Sequence, residues 1–135
     1  MVEKLKTYDI VAADYFSLDG TIKQGLFLVL CNRYGNVLCS KITSQFDSKF
    51  LDYSVIAYQR TNPFLECDSY IQLDKLHTLN EDACEKIGAL APAGRMYIKN
   101  TLNRFHYNLL KEINADIRCG YRSPNLRWKR FIVKI

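Results

Sequence analysis

Two adjacent hydroxyl residues, Thr43 and Ser44, end the strand-like run "NVLCSKITS" and are the first residues here that could do chemistry. Hydroxyls at the exit of a strand can donate hydrogen bonds to an oxygen-rich ligand such as a phosphate. The same pair can also be ordinary polarity where a strand leaves its sheet. On these residues alone, both interpretations stay open.

Side chains that could move a proton or hold a metal are few. There are two histidines, and one of them, His77, follows the carboxylate of Asp74 by three residues. Histidine is the side chain whose ordinary pKa suits proton transfer near neutral pH. The five cysteines are an odd number without C-x-x-C spacing, so we expect no metal site and no disulfide framework. Free cysteines favour a reducing, cytoplasmic location.

The net charge of +5 is concentrated at the C-terminal end of the sequence. From Arg118 onward there are six basic residues and no acidic one, whereas residues 1–117 are close to neutral. Such a segment can follow the phosphates of a nucleic acid, and a solubilising end or a cationic edge strand would explain it as well. We expect residues 1–117 to form one domain and residues 118–135 to be its basic extension.

The first two thirds of the chain have the alternation and turn signals of short antiparallel strands. We expect these strands at residues 8–16, 25–32, 37–44, 53–59 and 69–76. The turn sequence "RYGN" predicts a tight hairpin between the second and third strands. The continuous apolar run "GLFLVLCN" predicts a second strand buried on both faces. The Asn-Pro pair in "RTNPFLECD" predicts a loop before the fifth strand.

Two helices are expected after residue 77. Residues 78–88, "TLNEDACEKIG", combine candidate caps, acidic residues in the first turn and a terminal glycine. A longer helix from about Arg95 to Asn114 has apolar residues at three- and four-residue steps, which predicts packing against a sheet. The fold class is therefore α+β, a small curled antiparallel barrel or sheet with a short helix and a C-terminal helix. No apolar run is long enough to span a membrane.

The order of these pieces resembles the MazF/PemK family, the messenger-cutting toxins of bacterial toxin–antitoxin pairs, which includes Kid. The resemblance rests on "DIVAAD", "LFLVLCN", "KITS" and "LDKLHTLNEDACEKIGAL", in that order across residues 8–113. It implies an SH3-like antiparallel β-barrel with a C-terminal helix, usually as a homodimer. It also implies metal-independent cleavage of single-stranded RNA, with the ribose 2′-hydroxyl as nucleophile and no cofactor.

The resemblance assigns roles to individual residues. Thr43 and Ser44 fall where the family places active-site hydroxyls, so they become candidate phosphate donors. Asp74 becomes the candidate base, and Lys23 in the first loop, whose long side chain could reach a phosphate, is the candidate catalytic cation in place of a family arginine. The candidate substrate-binding residues are Gln24, Arg60, Gln72 and His77. We expect Thr43, Ser44 and Asp74 around one groove, with Lys23 within reach.

Two arginines of the family pattern are absent from this sequence. Gly25 stands in or next to the slot before the second strand, and Gln72 stands two residues before Asp74. Losing one positioned charge at such a site typically costs about 10²–10³ in rate, so we expect cleavage to be absent or much weaker than in ordinary members. Ordinary roles stay open as well, namely a capping carboxylate for Asp74 and solvated loop cations for Lys23 and Arg60.

Two functions of different classes remain. The first is a MazF/PemK-like endoribonuclease with a reworked site. The second is a catalytically silent member of the fold that binds an antitoxin-like protein, another regulator or a nucleic acid through the same groove. The retained "KITS" and Asp74 favour the first function, and the missing arginines favour the second. A homodimer is expected in both cases, because of the resemblance and because "LFLVLCN" is too apolar to face water.

Overall fold

The computed structural model describes residues 4–16, 19–45 and 53–105, apart from the side chains of Phe16, Asp74, Lys75 and Phe105. These residues form six strands and one α-helix, and a 3-10 turn at Glu81–Ala83 separates the last two strands. The strands are β1 (Asp9–Phe16), β2 (Ile22–Arg33), β3 (Asn36–Thr43), β4 (Ser54–Ala57), β5 (Ser69–Asn80) and β6 (Cys84–Ala89). The helix is α1 (Pro92–Phe105).

The strands form one antiparallel sheet in the order β4-β5-β3-β2-β1-β6. Within the described residues no pairing joins β4 to β6, and the loop after β4 covers this gap instead. Asn62 donates to the carbonyl of Tyr58 (2.9 Å) and accepts from the amide of Ala91 (2.8 Å). Phe64 packs so closely on Gly88 that a Cβ there would lie 2.5 Å from its ring. The predicted fold class, a small antiparallel α+β fold with a C-terminal helix, is confirmed.

The hairpin between β2 and β3 forms where the sequence predicts it. Tyr34 (φ 52°) and Gly35 (φ 86°) both adopt the left-handed conformation that a two-residue type I′ turn requires. Residues 27–31 of β2 are all buried, and they are divided between two hydrophobic clusters. The prediction of a strand buried on both faces is therefore confirmed.

The two clusters lie within a single copy of the chain. The first contains Leu28 together with Ile98 and Leu102 of α1. The second contains Phe27 and Val29, together with residues of β1 and β3. Because both sides of β2 are already covered, the apolarity of this strand does not require a second copy of the chain.

The helix predicted at residues 78–88 is wrong. This segment is the end of β5, the 3-10 turn and β6, and β6 pairs with β1. The carboxylate of Glu81 accepts hydrogen bonds from the amide of Leu5 (2.9 Å) and from the side-chain amide of Asn32. Asn80 does act as a cap, since its side chain accepts from the amide of Asp82 (3.1 Å). Tertiary contacts therefore override the local helix signal.

The α1 helix begins earlier than predicted, at Pro92, which suits the first turn of a helix because proline lacks an N–H. Ile98 and Leu102, the first two residues of the predicted apolar stripe, are buried. The rest of the predicted helix, His106 and the basic extension at 118–135 lie outside the described residues. Within residues 4–16, 19–45 and 53–105, no helix is long and apolar enough to cross a membrane.

Candidate functional site

A groove of about 560 Å³ opens where β3 ends, between β1, β2 and the loop after β4. We call it the β3 groove. Three of the predicted site residues, Gln24, Thr43 and Ser44, line it. The polar and charged lining also includes Tyr15, Lys41, Gln45, Glu66, Cys67 and Ser69. The lining thus contains hydroxyls, an amide and a cation, with Tyr15, Lys41 and Thr43 on one face of the sheet and Gln24 on the other.

The hydroxyl of Thr43 is positioned by a local turn. Its Oγ1 accepts a hydrogen bond from the amide of Gln45 (3.2 Å), which fixes the chain as it leaves the sheet. A hydroxyl has one O–H donor and two lone pairs, and this bond uses a lone pair. The O–H of Thr43 therefore keeps its capacity to donate to a ligand. Ser44 is exposed next to it.

Lys41 is a groove residue that the sequence reasoning missed. It precedes Thr43 by two residues on β3, so strand periodicity directs both side chains to the same face. Its Nζ lies 2.5 Å from the hydroxyl of Tyr15 and 4.5 Å from the centroid of that ring. The signal was present in the sequence, because Lys41 is the first residue of the "KITS" motif and the alternation of a strand identifies its face.

The ring of Tyr15, on β1, extends over Gly25 of the neighbouring strand β2, because the glycine leaves room for it. A Cβ at Gly25 would lie 2.9 Å from Cε1 of Tyr15, which is closer than real Cβ atoms approach. Phe27, two residues further along β2, meets Tyr15 edge to face at 5.7 Å between ring centroids. Gly25, in or next to the slot where the resemblance expects an arginine, is thus the position over which Tyr15 packs.

Asp74 lies in an irregular part of β5. Ser40 pairs with Leu76 and Ile42 with Ile71, so Lys41 alone stands opposite residues 72–75. Such an expanded bulge disrupts the ladder and re-aims side chains, and bulges often occur next to active sites. The backbone of Asp74 therefore passes opposite Lys41. Because its side chain lies outside the described residues, its role as base stays a prediction.

Lys23 and Gln72 lie next to the β3 groove without lining it. Lys23 is exposed and pairs across β1 and β2 with Tyr15. Gln72 is half-buried and pairs with Ser54 of β4, on the opposite side of β5 from β3. Lys23 is therefore a neighbour of a groove residue, whereas Gln72 pairs with the edge strand β4.

His77 and Arg60 are not brought to the β3 groove. His77 is 8% exposed, pairs with Cys39, and packs edge to face on Phe27 of the second cluster, with 5.7 Å between the ring centroids. Arg60 lies over the ring of Tyr58 at 5.3 Å.

Arg60 contributes to a second groove, of about 630 Å³, between β4, the loop after it and α1. We call it the helix groove. Its polar and aromatic lining includes Ser54, Tyr58, Arg60, Tyr97, Thr101 and Arg104. None of the lining residues is acidic, so this surface is cationic.

Thiol and metal chemistry find little support in the described residues. Burial raises the pKa of the Cys39 thiol strongly and that of Cys31 as well, so neither is a ready nucleophile. Cys67 is exposed at the β3 groove. Within residues 4–16, 19–45 and 53–105, no three His, Cys, Asp or Glu side chains cluster as metal ligands would.

The known proteins that this chain matches are solved structures. No family model and no curated protein matches this sequence. One crystal structure of MazE–MazF from Deinococcus radiodurans matches with a TM-score of 0.60 and 12% identity, covering 74% of this chain and 94% of that chain. A second crystal form of the same complex matches with a TM-score of 0.58 and 14% identity, covering 79% and 97%. The fold is MazF-like. At this identity the likeness concerns the MazF-like fold alone.

Proposed function

We propose that this chain binds single-stranded RNA, including messenger RNA, in the β3 groove and cleaves it slowly without a metal. The observation that carries the proposal is that Thr43, Ser44 and Gln24 line one groove with Lys41, on a MazF-like fold. A hydroxyl beside a cation, as Thr43 and Lys41 provide on one face of β3, suits an oxyanion such as a phosphodiester. Phosphate contacts of this kind carry most of the affinity for nucleic acids.

The proposed reaction is an internal displacement. The ribose 2′-oxygen attacks phosphorus, the bond from phosphorus to O5′ breaks, and the products carry a 2′,3′-cyclic phosphate and a 5′-hydroxyl. The proton of the 2′-hydroxyl passes to a base, for which Asp74 is the candidate, and the leaving O5′ takes a proton from solvent or an acid. Thr43 and Ser44 donate to the phosphate as negative charge builds up on it.

Supporting roles are proposed for the flanking residues. Gln24 lines the groove, so its amide can donate to a phosphate or to a base. Lys23 is exposed beside Tyr15, where it adds positive potential along the path of the strand. Arg60, Gln72 and His77 lie outside the β3 groove, so their earlier assignment to substrate binding has no support from the lining of this groove.

The test is cleavage of a single-stranded RNA by the purified protein in EDTA. We expect slow cutting with cyclic-phosphate ends, lost in Asp74→Asn and reduced about 100-fold in the double variant Thr43→Val, Ser44→Ala, since positioned donors are worth this much. The matched control is Thr78→Val, an exposed threonine near the end of β5 and outside the groove, which should leave the rate unchanged. Absence of both binding and cleavage at low salt would overturn the proposal.

A second candidate function is a catalytically silent protein that binds an antitoxin-like partner. It is favoured by the helix groove, where Arg60, Arg104 and the exposed rings of Tyr58 and Tyr97 form a cationic surface without a lining carboxylate. Such a surface suits an acidic segment with apolar anchors. The solved neighbours are MazF in complex with MazE, which makes a partner of this kind reasonable to test.

A homodimer and a cytoplasmic location are also proposed, on the resemblance. The apolar β2 strand no longer supports the dimer, because both of its faces are buried in one copy. Sedimentation at micromolar concentration should show a species of twice the 15.7 kDa chain mass. A single 15.7 kDa species under these conditions would contradict the dimer.

A further inference from the structure

The contact between Tyr15 and Lys41 in the β3 groove determines which of the two groups donates the hydrogen bond. The ammonium group of a lysine only donates hydrogen bonds, whereas a phenol can both donate and accept. At 2.5 Å from Nζ, the oxygen of Tyr15 must therefore be the acceptor. The O–H of Tyr15 is left to donate to another group, and both residues line the groove.

The position of Tyr15 is set by its surroundings. Its ring lies over Gly25, where no larger residue fits without displacing it, and packs edge to face on the fully buried Phe27. Lys41 contacts the same ring at 4.5 Å from its centroid. A donor held in this way needs little reorganisation when a ligand arrives, which is what makes such donors effective.

A second cation lies next to this pair. Lys41 and Glu66 are the charged residues among those lining the groove, and Lys23 is exposed directly across the strand pair from Tyr15. The ammonium of Lys41 and the O–H of Tyr15 thus stand side by side, with Lys23 as a second cation nearby. Two adjacent donors match two oxygens of one phosphate group, in the way that a bidentate guanidinium does with a single side chain.

We propose that Tyr15 and Lys41 form a two-donor clamp that binds one phosphate group of the single-stranded RNA, Lys41 through its charge and Tyr15 through its O–H. This inference rests on the proposed function, because it names the residues that hold the substrate in the same groove. Both side chains would contact the substrate directly. Gly25 and Phe27 would act as positioning residues, since they fix the ring of Tyr15.

The first experiment measures binding of a single-stranded DNA oligonucleotide, which carries the same phosphates and has no 2′-hydroxyl to react. Lys41→Met should weaken binding about tenfold and reduce the slope of log K against log salt by about 0.7, because one phosphate contact is lost. Tyr15→Phe keeps the ring and should weaken binding less, with the slope unchanged. The matched controls are Lys99→Met and Tyr34→Phe, both exposed outside the groove, which should bind like the wild type.

The second experiment measures cleavage of single-stranded RNA at saturating substrate. Tyr15→Phe should lower kcat by about 100-fold, and Lys41→Arg should retain more activity than Lys41→Met. Gly25→Ala should lower kcat in the same way as Tyr15→Phe by displacing the ring, whereas Gly94→Ala, where a Cβ meets Leu90 at an ordinary 3.5 Å, should not. Thermal unfolding of each variant separates these effects from loss of fold.

The outcomes distinguish the two proposals. If the wild type binds or cleaves RNA and Tyr15→Phe and Lys41→Met both behave like it, the clamp is refuted and the proposed function stands. If the wild type binds neither RNA nor single-stranded DNA at low salt, both proposals fall. If only Lys41→Met has an effect, Tyr15 is not a donor to the substrate and the two-donor clamp is rejected.

Discussion

The two grooves of this molecule present polar groups in different ways. In the β3 groove, Thr43 and Lys41 project from a central strand, and Tyr15 is fixed from behind by the fully buried Phe27. In the helix groove, the arginines and tyrosines lie on the loop after β4 and on the surface of α1. Side chains on rigid central strands can be held in the geometry that chemistry requires, whereas exposed cations mainly supply attraction. This difference makes the β3 groove the better surface for a reaction and the helix groove the better surface for association.

The largest expected effect concerns the residue behind the β3 groove. Phe27→Ala removes a fully buried ring that contacts both Tyr15 and His77, so it should lower the free energy of unfolding by about 3–5 kcal/mol. In the helix groove, Tyr97→Ala removes a ring that is 63% exposed and should change stability by no more than about 0.5 kcal/mol. Urea unfolding measures both, and similar losses at the two positions would remove the contrast between the grooves.

The next effect separates turnover from binding. Lys41→Met should lower kcat for RNA cleavage by about 100-fold, because it removes charge at the phosphate. Arg60→Met should leave kcat nearly unchanged and weaken RNA binding only where the strand extends past the β3 groove. Single-turnover kinetics with short and long RNAs would show this split. A larger loss of kcat in Arg60→Met than in Lys41→Met would contradict this prediction, because it would place the reaction in the helix groove.

A smaller effect is expected in the loop after β4, which covers the gap between β4 and β6 and lines both grooves. Asn62 is 2% exposed and bonds to Tyr58 and Ala91, so Asn62→Ala should destabilise the fold by about 1–3 kcal/mol through unsatisfied buried groups. Asn103→Ala, at an exposed position on α1, is the control. If the two variants unfold at the same denaturant concentration, Asn62 is not what holds the loop in place.

The smallest effect concerns association. Ile56→Thr changes an outward-facing residue that is 37% exposed on β4, so the stability of the monomer should change by no more than about 0.5 kcal/mol. If the helix groove is an interface, the same change should raise the dissociation constant of the homodimer or of an antitoxin-like complex. Sedimentation across a dilution series measures this, and an unchanged constant would place the interface elsewhere.

Much of the fold follows from local sequence. "RYGN" predicts its hairpin because Tyr34 and Gly35 must both take positive φ, and the apolar run of β2 predicts burial on both faces. The segment at 78–88 could not be predicted in this way. Its acidic first turn is typical of a helix, yet Glu81 instead binds residues from two distant parts of the chain.

The candidate site was predictable in part. Thr43 and Ser44 are singled out through the family resemblance, since their place at the end of a strand alone leaves ordinary polarity open, and Lys41 follows from the alternation of the same strand. The role of Tyr15 could not be predicted in this way. Its ring reaches Lys41 across β2 only because of the pairing register of β1 with β2 and the space above Gly25. The expanded bulge around Asp74 is likewise set by pairing with β3, which a single strand does not encode.

The most direct test of the central claim, that RNA binds in the β3 groove, is an NMR titration of the ¹⁵N-labelled protein with a 2′-O-methyl oligoribonucleotide, which cannot be cleaved by internal attack. We expect the largest amide shifts at Gln24, Lys41, Thr43 and Ser44, and smaller shifts at the helix groove. Shifts confined to Arg60, Tyr97 and Arg104, with the end of β3 unchanged, would contradict it.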